Sequence, residues 1–168
     1  MVEHDNNLER ALDRWRQGIA SLDEIRTLSQ ELGNQHFAPG IPALMQLLDN
    51  EDEIVRYNAA MALGFELHYE PATHKLLSML ASDIDEDVRD VAAGSLRTLW
   101  QSTKDQRVVR ALATAALDDP DEDVRKSAYK ALLIVNGVPS EEQLHLLTGG
   151  SLVVDRVRVQ DIVNAMEP

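Results

Sequence analysis

The dipeptide Val-Arg recurs along this chain at near-even spacing: Val55-Arg56, Val88-Arg89, Val124-Arg125 and Val157-Arg158, in steps of 33, 36 and 33 residues. Self-similarity at that period marks a stacked-repeat architecture, in which each unit buries its apolar face only against its neighbours. The same feature limits function, because such stacks present extended binding surfaces.

Aligned on the valine of each pair, the chain has Ala59, Ala92 and Ala128 four residues later and Leu63, Leu96 and Leu132 eight later. Positions 0, 4 and 8 share one face of a helix. The small alanine admits a close neighbour and the leucine fills volume. Asp52, Asp85 and Asp121 stand three residues before each valine and can accept from the free amides of a first helical turn. The spacing therefore predicts helices over about 52–67, 85–101 and 121–136. A shorter helix precedes each: 41–48, 72–81 with Leu76, Leu77 and Leu80 inward, and 107–117 with Val108, Leu112 and Leu117 inward. The turns inside each pair, at 49–51, 82–84 and 118–120, carry Asp, Asn, Ser and Pro120, which are turn formers.

These segments, DNEDEIVRYNAAMALG (49–64), SDIDEDVRDVAAGSL (82–96) and DDPDEDVRKSAYKAL (118–132), resemble the HEAT-like repeat family, in particular its short bacterial form. The resemblance covers about residues 40–136. It implies an all-α, right-handed α-α superhelix of about four helix pairs. It also implies a structural ladder, in which an acid in the turn of one repeat meets an arginine early in the second helix of a neighbour. The ladder positions are Asn50, Asp83 and Asp119, with Arg56, Arg89 and Arg125.

Three parts of one domain follow. Residues 1–38 form an N-terminal helical cap, 39–136 three clear repeats, and 137–168 a degenerate C-terminal repeat. In the cap, Leu8, Ala11, Leu12 and Trp15 follow helical spacing. Ser21-Leu22-Asp23-Glu24 is a capping box opening a second helix to Leu32, with Gly33 as its stop. Trp15 reads as a core plug rather than a ligand contact. In the last repeat, Ser140–Leu147 is its first helix and Gly149-Gly150 its turn. Leu152 stands where the ladder acid belongs and Asp161 where the core alanine belongs, as suits a terminal unit whose outer face meets water.

Composition narrows the partners. Apolar residues make up 44% and aromatics only 4%, which favours helices packed through Ala and Leu. No apolar run reaches the roughly 18 residues of a membrane span. The polar start, Met1 to Asn7, does not read as a signal peptide. With no cysteine there are no disulfides or thiolate metal sites, which fits a cytoplasmic setting. The net charge of −13 opposes nucleic acid and anionic membranes as partners. It leaves two readings open: surplus acid for solubility, or a basic protein partner.

Catalytic and metal constellations are not legible. The triplets Asp83-x-Asp85-x-Asp87 and Asp119-x-Asp121-x-Asp123 begin like calcium loops, but the sixth position is Val88 or Val124 instead of Gly, and the twelfth Gly94 or Lys130 instead of Glu. Helix capping explains these acids. Glu66, His68, Glu70 and His74 lie close together with no second, spaced cluster, and no His-Glu dipeptide occurs, unlike the HEAT-like iron hydroxylase. No Gly-x-Ser-x-Gly elbow or Gly-rich phosphate loop is present. We therefore expect no enzyme activity, no metal and no cofactor. Among HEAT-like families, alkylpurine DNA glycosylases are basic along their groove, and this chain is not; bilin-attaching lyases remain an alternative at the level of the repeat.

Two surfaces are candidates for protein binding. A helical wheel places Tyr57, Met61, Phe65 and His68, then Asp90 and Arg97, then Lys126 and Lys130, opposite the core positions of the second helices, the side that lines the concave face of a stack. Tyr57, Met61 and Phe65 make an apolar stripe there, either a docking patch or a surface covered by a loop or the cap. Lys126 and Lys130 make one end of this side positive. Along the turns runs an acidic ridge of Asp52, Glu53, Asp85, Glu86, Asp87, Asp121, Glu122 and Asp123. The sharpest expectation is a non-catalytic inhibitor or immunity-type protein that masks a basic toxin such as a nuclease. The alternatives are a bilin-lyase-like protein holding a tetrapyrrole against Tyr57, Phe65, His68 and Arg97, and a general scaffold or adaptor.

Overall fold

The computed structural model describes residues 2–138 and 153–166. Every regular element among them is helical. The helices are α1 (Val2–Arg16), α2 (Leu22–Asn34), α3 (Ile41–Leu47), α4 (Glu53–Met61), α5 (Thr73–Ser82), α6 (Glu86–Leu99), α7 (Gln106–Asp118), α8 (Glu122–Val135) and α9 (Arg156–Asn164). The chain forms two compact units, residues 1–72 and 73–168. The fourth repeat's expected first helix, its Gly149-Gly150 turn and Leu152 lie outside the described residues.

In the second unit, α6 packs on α8 and α5 on α7, while each short helix packs on the long one that follows it. This two-layer stacking is what the repeat period implies. Val88, Ala92 and Leu96 of α6 and Val124, Ala128 and Leu132 of α8 are essentially inaccessible to solvent. In the first unit α2 lies against α1, α3 and α4, and Val55, Ala59 and Leu63 are likewise buried.

The acids ahead of each valine act as expected. The carboxylates of Asp52, Asp85 and Asp121 accept from the amides of Val55, Val88 and Val124 at 3.1, 3.1 and 3.0 Å. Two residues earlier, Asn50, Asp83 and Asp119 accept through a side-chain oxygen from the amides of those capping acids. Each turn is thus closed by two consecutive side-chain caps, which satisfies amides that a helix start leaves open.

Three expectations are corrected. Gly33 does not stop α2. The helix runs through it to Asn34, and His36, at φ 51°, supplies the left-handed residue after it. Gly33 is instead needed for a close approach: a Cβ there would lie 2.7 Å from the Cβ of Ala62. The helix expected over 52–67 keeps α geometry only to Met61 and continues as a π turn, Ala62–Glu66, closed by the Leu67 amide on the Ala62 carbonyl. His68 follows outside the helix with φ 47°. An α-helical wheel therefore stops applying before Phe65 and His68.

The fourth Val-Arg pair is not equivalent to the first three. Val157 is 71% exposed, while Val159 and Ile162 are buried. The cap of α9 is Asp155, two residues before Val157 instead of three, so the helix turns a different face inward. Val159, Ile162, Val163 and Met166 carry the i, i+3, i+4, i+7 pattern, and Asp161 is on the exposed side.

Candidate protein-binding surfaces

The arginine after each core valine is tied to its own turn. A guanidinium nitrogen of Arg56, Arg89 and Arg125 donates to the carbonyl six residues back, at Asn50, Asp83 and Asp119, over 2.9, 2.9 and 2.6 Å. Arg56 and Arg125 also reach the next carbonyl, of Glu51 and Pro120. The carboxylate of Asp119 is taken by the arginine of the preceding repeat. Arg89 Nε and Nη2 donate to its Oδ2 and Oδ1 at 2.9 and 3.0 Å, with both side chains almost fully buried. The Asp119 carboxylate holds the Arg89 guanidinium above its usual range, against the opposing effect of burial.

The first unit contains a ladder pair that reading the Val-Arg recurrence did not find. Arg26 of α2 forks onto both carboxylate oxygens of Asp52. That hydrogen bonding, against partial burial, holds Asp52 below the usual carboxylate range. The signal was present as Ile25-Arg26, a conservative copy of the pair 30 residues before Val55-Arg56, with buried Ser29 at the alanine position. The α1–α2 segment thus contributes a second helix with its own ladder arginine. At the turn it meets, the ladder residue is Asn50, and Arg26 bonds the carboxylate two residues later instead.

The acidic ridge divides into structural and displayed carboxylates. Asp52, Asp85 and Asp121 are committed to capping, and Asp121 is held below its usual range first by the Val124 amide. Glu53 is exposed in the first unit, and Glu86, Asp87, Glu122 and Asp123 in the second. Each unit also displays an apolar side chain beside these acids. Ile54 is 43% exposed beside Glu53, and Ile84 is 91% exposed between Asp83 and Asp85. A turn that needs only polar, Asx-type residues has no structural use for an isoleucine in water.

Residues expected on the concave side are placed as follows. Tyr57 and Met61 on α4 and Phe65 in the π turn are half-buried, and His68 is exposed. In the second unit, Asp90 and Arg97 on α6 and Lys126 and Lys130 on α8 are half-buried. Lys126 is not an open cation. Its ammonium lies 2.8 Å from Glu122 and 3.4 Å from Asp123, which raises its own affinity for the proton and lowers that of Glu122. Asp90 keeps one carboxylate oxygen buried with no hydrogen-bond partner. Glu66, from the local His/Glu cluster, faces His36 at 3.6 Å. Among the described residues no group of three or more His, Asp or Glu is arranged to hold a metal ion, and no helix is long and apolar enough to cross a membrane.

A family model described as HEAT repeats matches residues 23–97, from the first turn of α2 through most of α6. This stretch contains the Arg26–Asp52 pair and the first two Val-Arg copies. Residues 23–97 are HEAT repeats. The HEAT stack also resembles a chain in the structure of the complex of CpcE and CpcF of phycocyanin lyase from Nostoc sp. PCC7120. The TM-score is 0.54 at 17% identity, over 88% of this chain and 91% of that one. At this identity the likeness is one of fold, a helical solenoid. No curated protein matched the sequence.

Proposed function

We propose that this chain is a non-catalytic protein-binding module whose turn edge takes a basic protein partner. The observation that carries the reading is the pairing of acid with exposed isoleucine at the turn edge of each unit taken by itself: Ile54 beside Glu53 in the first, and Ile84 among Asp83, Asp85, Glu86 and Asp87 in the second. Acid placed for solubility alone needs no apolar residue beside it. A partner surface with cationic side chains around an apolar contact uses both, the charges setting orientation and encounter rate and the isoleucine adding desolvated area. Its sharpest form is an inhibitor or immunity-type protein that masks the cationic active site of a basic toxin such as a nuclease, in a cytoplasmic setting. Two further candidate contact surfaces, each within its own unit, are Tyr57, Met61 and Phe65 in the first and Asp90, Arg97 and Lys130 in the second.

The test is affinity capture of a defined basic partner at low and high salt, with wild type beside Ile84→Ser and Glu86→Lys/Asp87→Lys. Capture that falls with salt and is weakened by both variants supports the reading, and inhibition of a captured nuclease supports its sharpest form. Capture indifferent to salt and to both variants overturns it.

The likeness to a phycocyanin lyase complex favours one other reading, a bilin-lyase-like protein that holds a tetrapyrrole, with Tyr57, Phe65 and His68 of the first unit as its candidate contacts. Incubation with a free bilin should then shift and sharpen its absorption spectrum. An unchanged spectrum removes this reading.

A further inference from the structure

A groove of about 440 Å³ runs between α1 and α2 in the first unit, within the size range of about 300–1,000 Å³ that holds specific ligands. Leu8 and Leu28 lie buried at its base, and Ala11 and Ala20 line it with side chains too small to fill it. Polar residues such as Thr27, Glu31 and Gln35 complete the lining, and the space between the two helices is open to solvent.

The charges lining the groove are mostly acidic. Asp23, Glu24 and Glu31 line it, with Arg14 as the one cation among the lining residues. Arg14 is already used: its Nε and Nη2 donate to the two oxygens of Glu24 at 3.1 and 3.2 Å, and Nη2 also reaches the Ile19 carbonyl. Glu31 accepts only from the neutral amide of Gln35, and the side chain of Asp23 is 94% exposed, with Arg26 at 3.8 Å turned mainly to Asp52. The groove is therefore an apolar trough with net negative edges.

We propose that the α1–α2 groove is a docking site for an amphipathic helix of a partner protein, with its apolar stripe in the trough and Lys or Arg on its flanks facing Asp23 and Glu31. Two antiparallel-sized ridges with small residues between them are the form in which a third helix is received, by anchors at i, i+3, i+4 and i+7. A second copy of this chain is a poor occupant, since each copy carries a net charge of −13. The proposal uses no residue of the turn edge, so the two surfaces can be tested apart.

The probe is a fluorescent helical peptide of leucine and lysine, set against a matched peptide of leucine and glutamate. The Leu-Lys peptide is expected to bind, less tightly at high salt, and to protect the amides of α1 and α2 from hydrogen exchange; the Leu-Glu peptide is expected not to bind. Thr27→Trp, which fills the groove from an exposed helical position, should weaken binding about tenfold or more. Asp23→Lys/Glu31→Lys, a surface pair that leaves the packing alone, should weaken it at low salt and less so at high salt. Glu86→Lys/Asp87→Lys should leave it unchanged, and any loss there would assign binding to the turn edge instead. Absence of binding, equal binding of both peptides, protection confined to other segments, or an unweakened Thr27→Trp and charge-reversal pair each overturns the proposal. So does concentration-dependent self-association that Thr27→Trp abolishes.

Discussion

Arg89 and Asp119 stand 30 residues apart and are joined by two parallel hydrogen bonds, Nε to Oδ2 at 2.9 Å and Nη2 to Oδ1 at 3.0 Å. The carboxylate also caps the Asp121 amide, and the guanidinium also holds the Asp83 carbonyl. One pair thus fixes the turn of its own repeat and the turn of the next. Breaking it strands a buried charge. Arg89→Ala should cost about 3–5 kcal/mol of unfolding free energy, and Arg89→Met/Asp119→Leu should recover much of that. Urea unfolding of the two variants checks this; a single mutant within error of wild type would sink it.

Gly33 and Ala62 should show the reverse of the usual Gly-to-Ala effect. Within a helix, Gly→Ala ordinarily stabilises by about 0.5–1 kcal/mol. Here the new methyl would lie 2.7 Å from the Ala62 Cβ and 3.0 Å from its Cα. Gly33→Ala should therefore lower stability by about 1–3 kcal/mol. Adding Ala62→Gly should restore part of it. Thermal melts decide the point, and a higher melting temperature for Gly33→Ala would show that the contact yields.

Acid should unfold the protein through its paired carboxylates. Hydrogen bonds from Arg14, then from the Ser21 backbone, hold Glu24 at about 2 instead of its ordinary 4.5. Asp52, Asp105, Asp121 and Glu122 are shifted in the same direction. A depressed folded-state pKa contributes stability that is complete above the unfolded value and is lost as pH falls through the folded one. The melting temperature should fall steadily between about pH 5 and pH 2, and Glu24→Gln should make the fall shallower. A melting temperature that stays flat down to the lower limit would contradict this.

Asp90 of α6 buries one carboxylate oxygen without a hydrogen-bond partner, on a face proposed as a contact surface. An unsatisfied buried polar atom costs about 1–3 kcal/mol. Asp90→Ala should leave the protein at least as stable as wild type, and if that face binds a partner it should weaken the complex. Paired melting and binding measurements test both halves; a destabilised Asp90→Ala would show that the carboxylate supports the fold.

The local parts of this fold were legible because they depend on residues close in sequence. Helix period, Asp caps three residues before a valine and the core Val/Ala/Leu triplet each follow from spacing within one helix, and they place α4, α6 and α8 to within a residue or two at their starts. Partners across helices were not legible in the same way. Asn50 at a ladder position gave no sign that Arg26 would reach Asp52, and Gly33 followed by a polar residue looks the same as a helix stop whether or not Ala62 packs on it. Val157-Arg158 repeats the letters of the motif, yet its cap lies one residue closer, and a shift of one helical position turns the valine to solvent.

The amino-acid sequence by itself determined that this is an all-helical repeat stack with acidic, Asp-capped turns and Val-Arg second helices. Those features need only backbone geometry and nearest-neighbour chemistry. Tertiary packing decided the rest: which carboxylates are consumed as caps and ladder partners, that Lys126 leans back onto Glu122, that Ile54 and Ile84 stand in water among the acids, and that α1 and α2 leave a trough between them. Each depends on how much volume and charge a neighbouring helix brings, and the sequence of one helix does not contain that information.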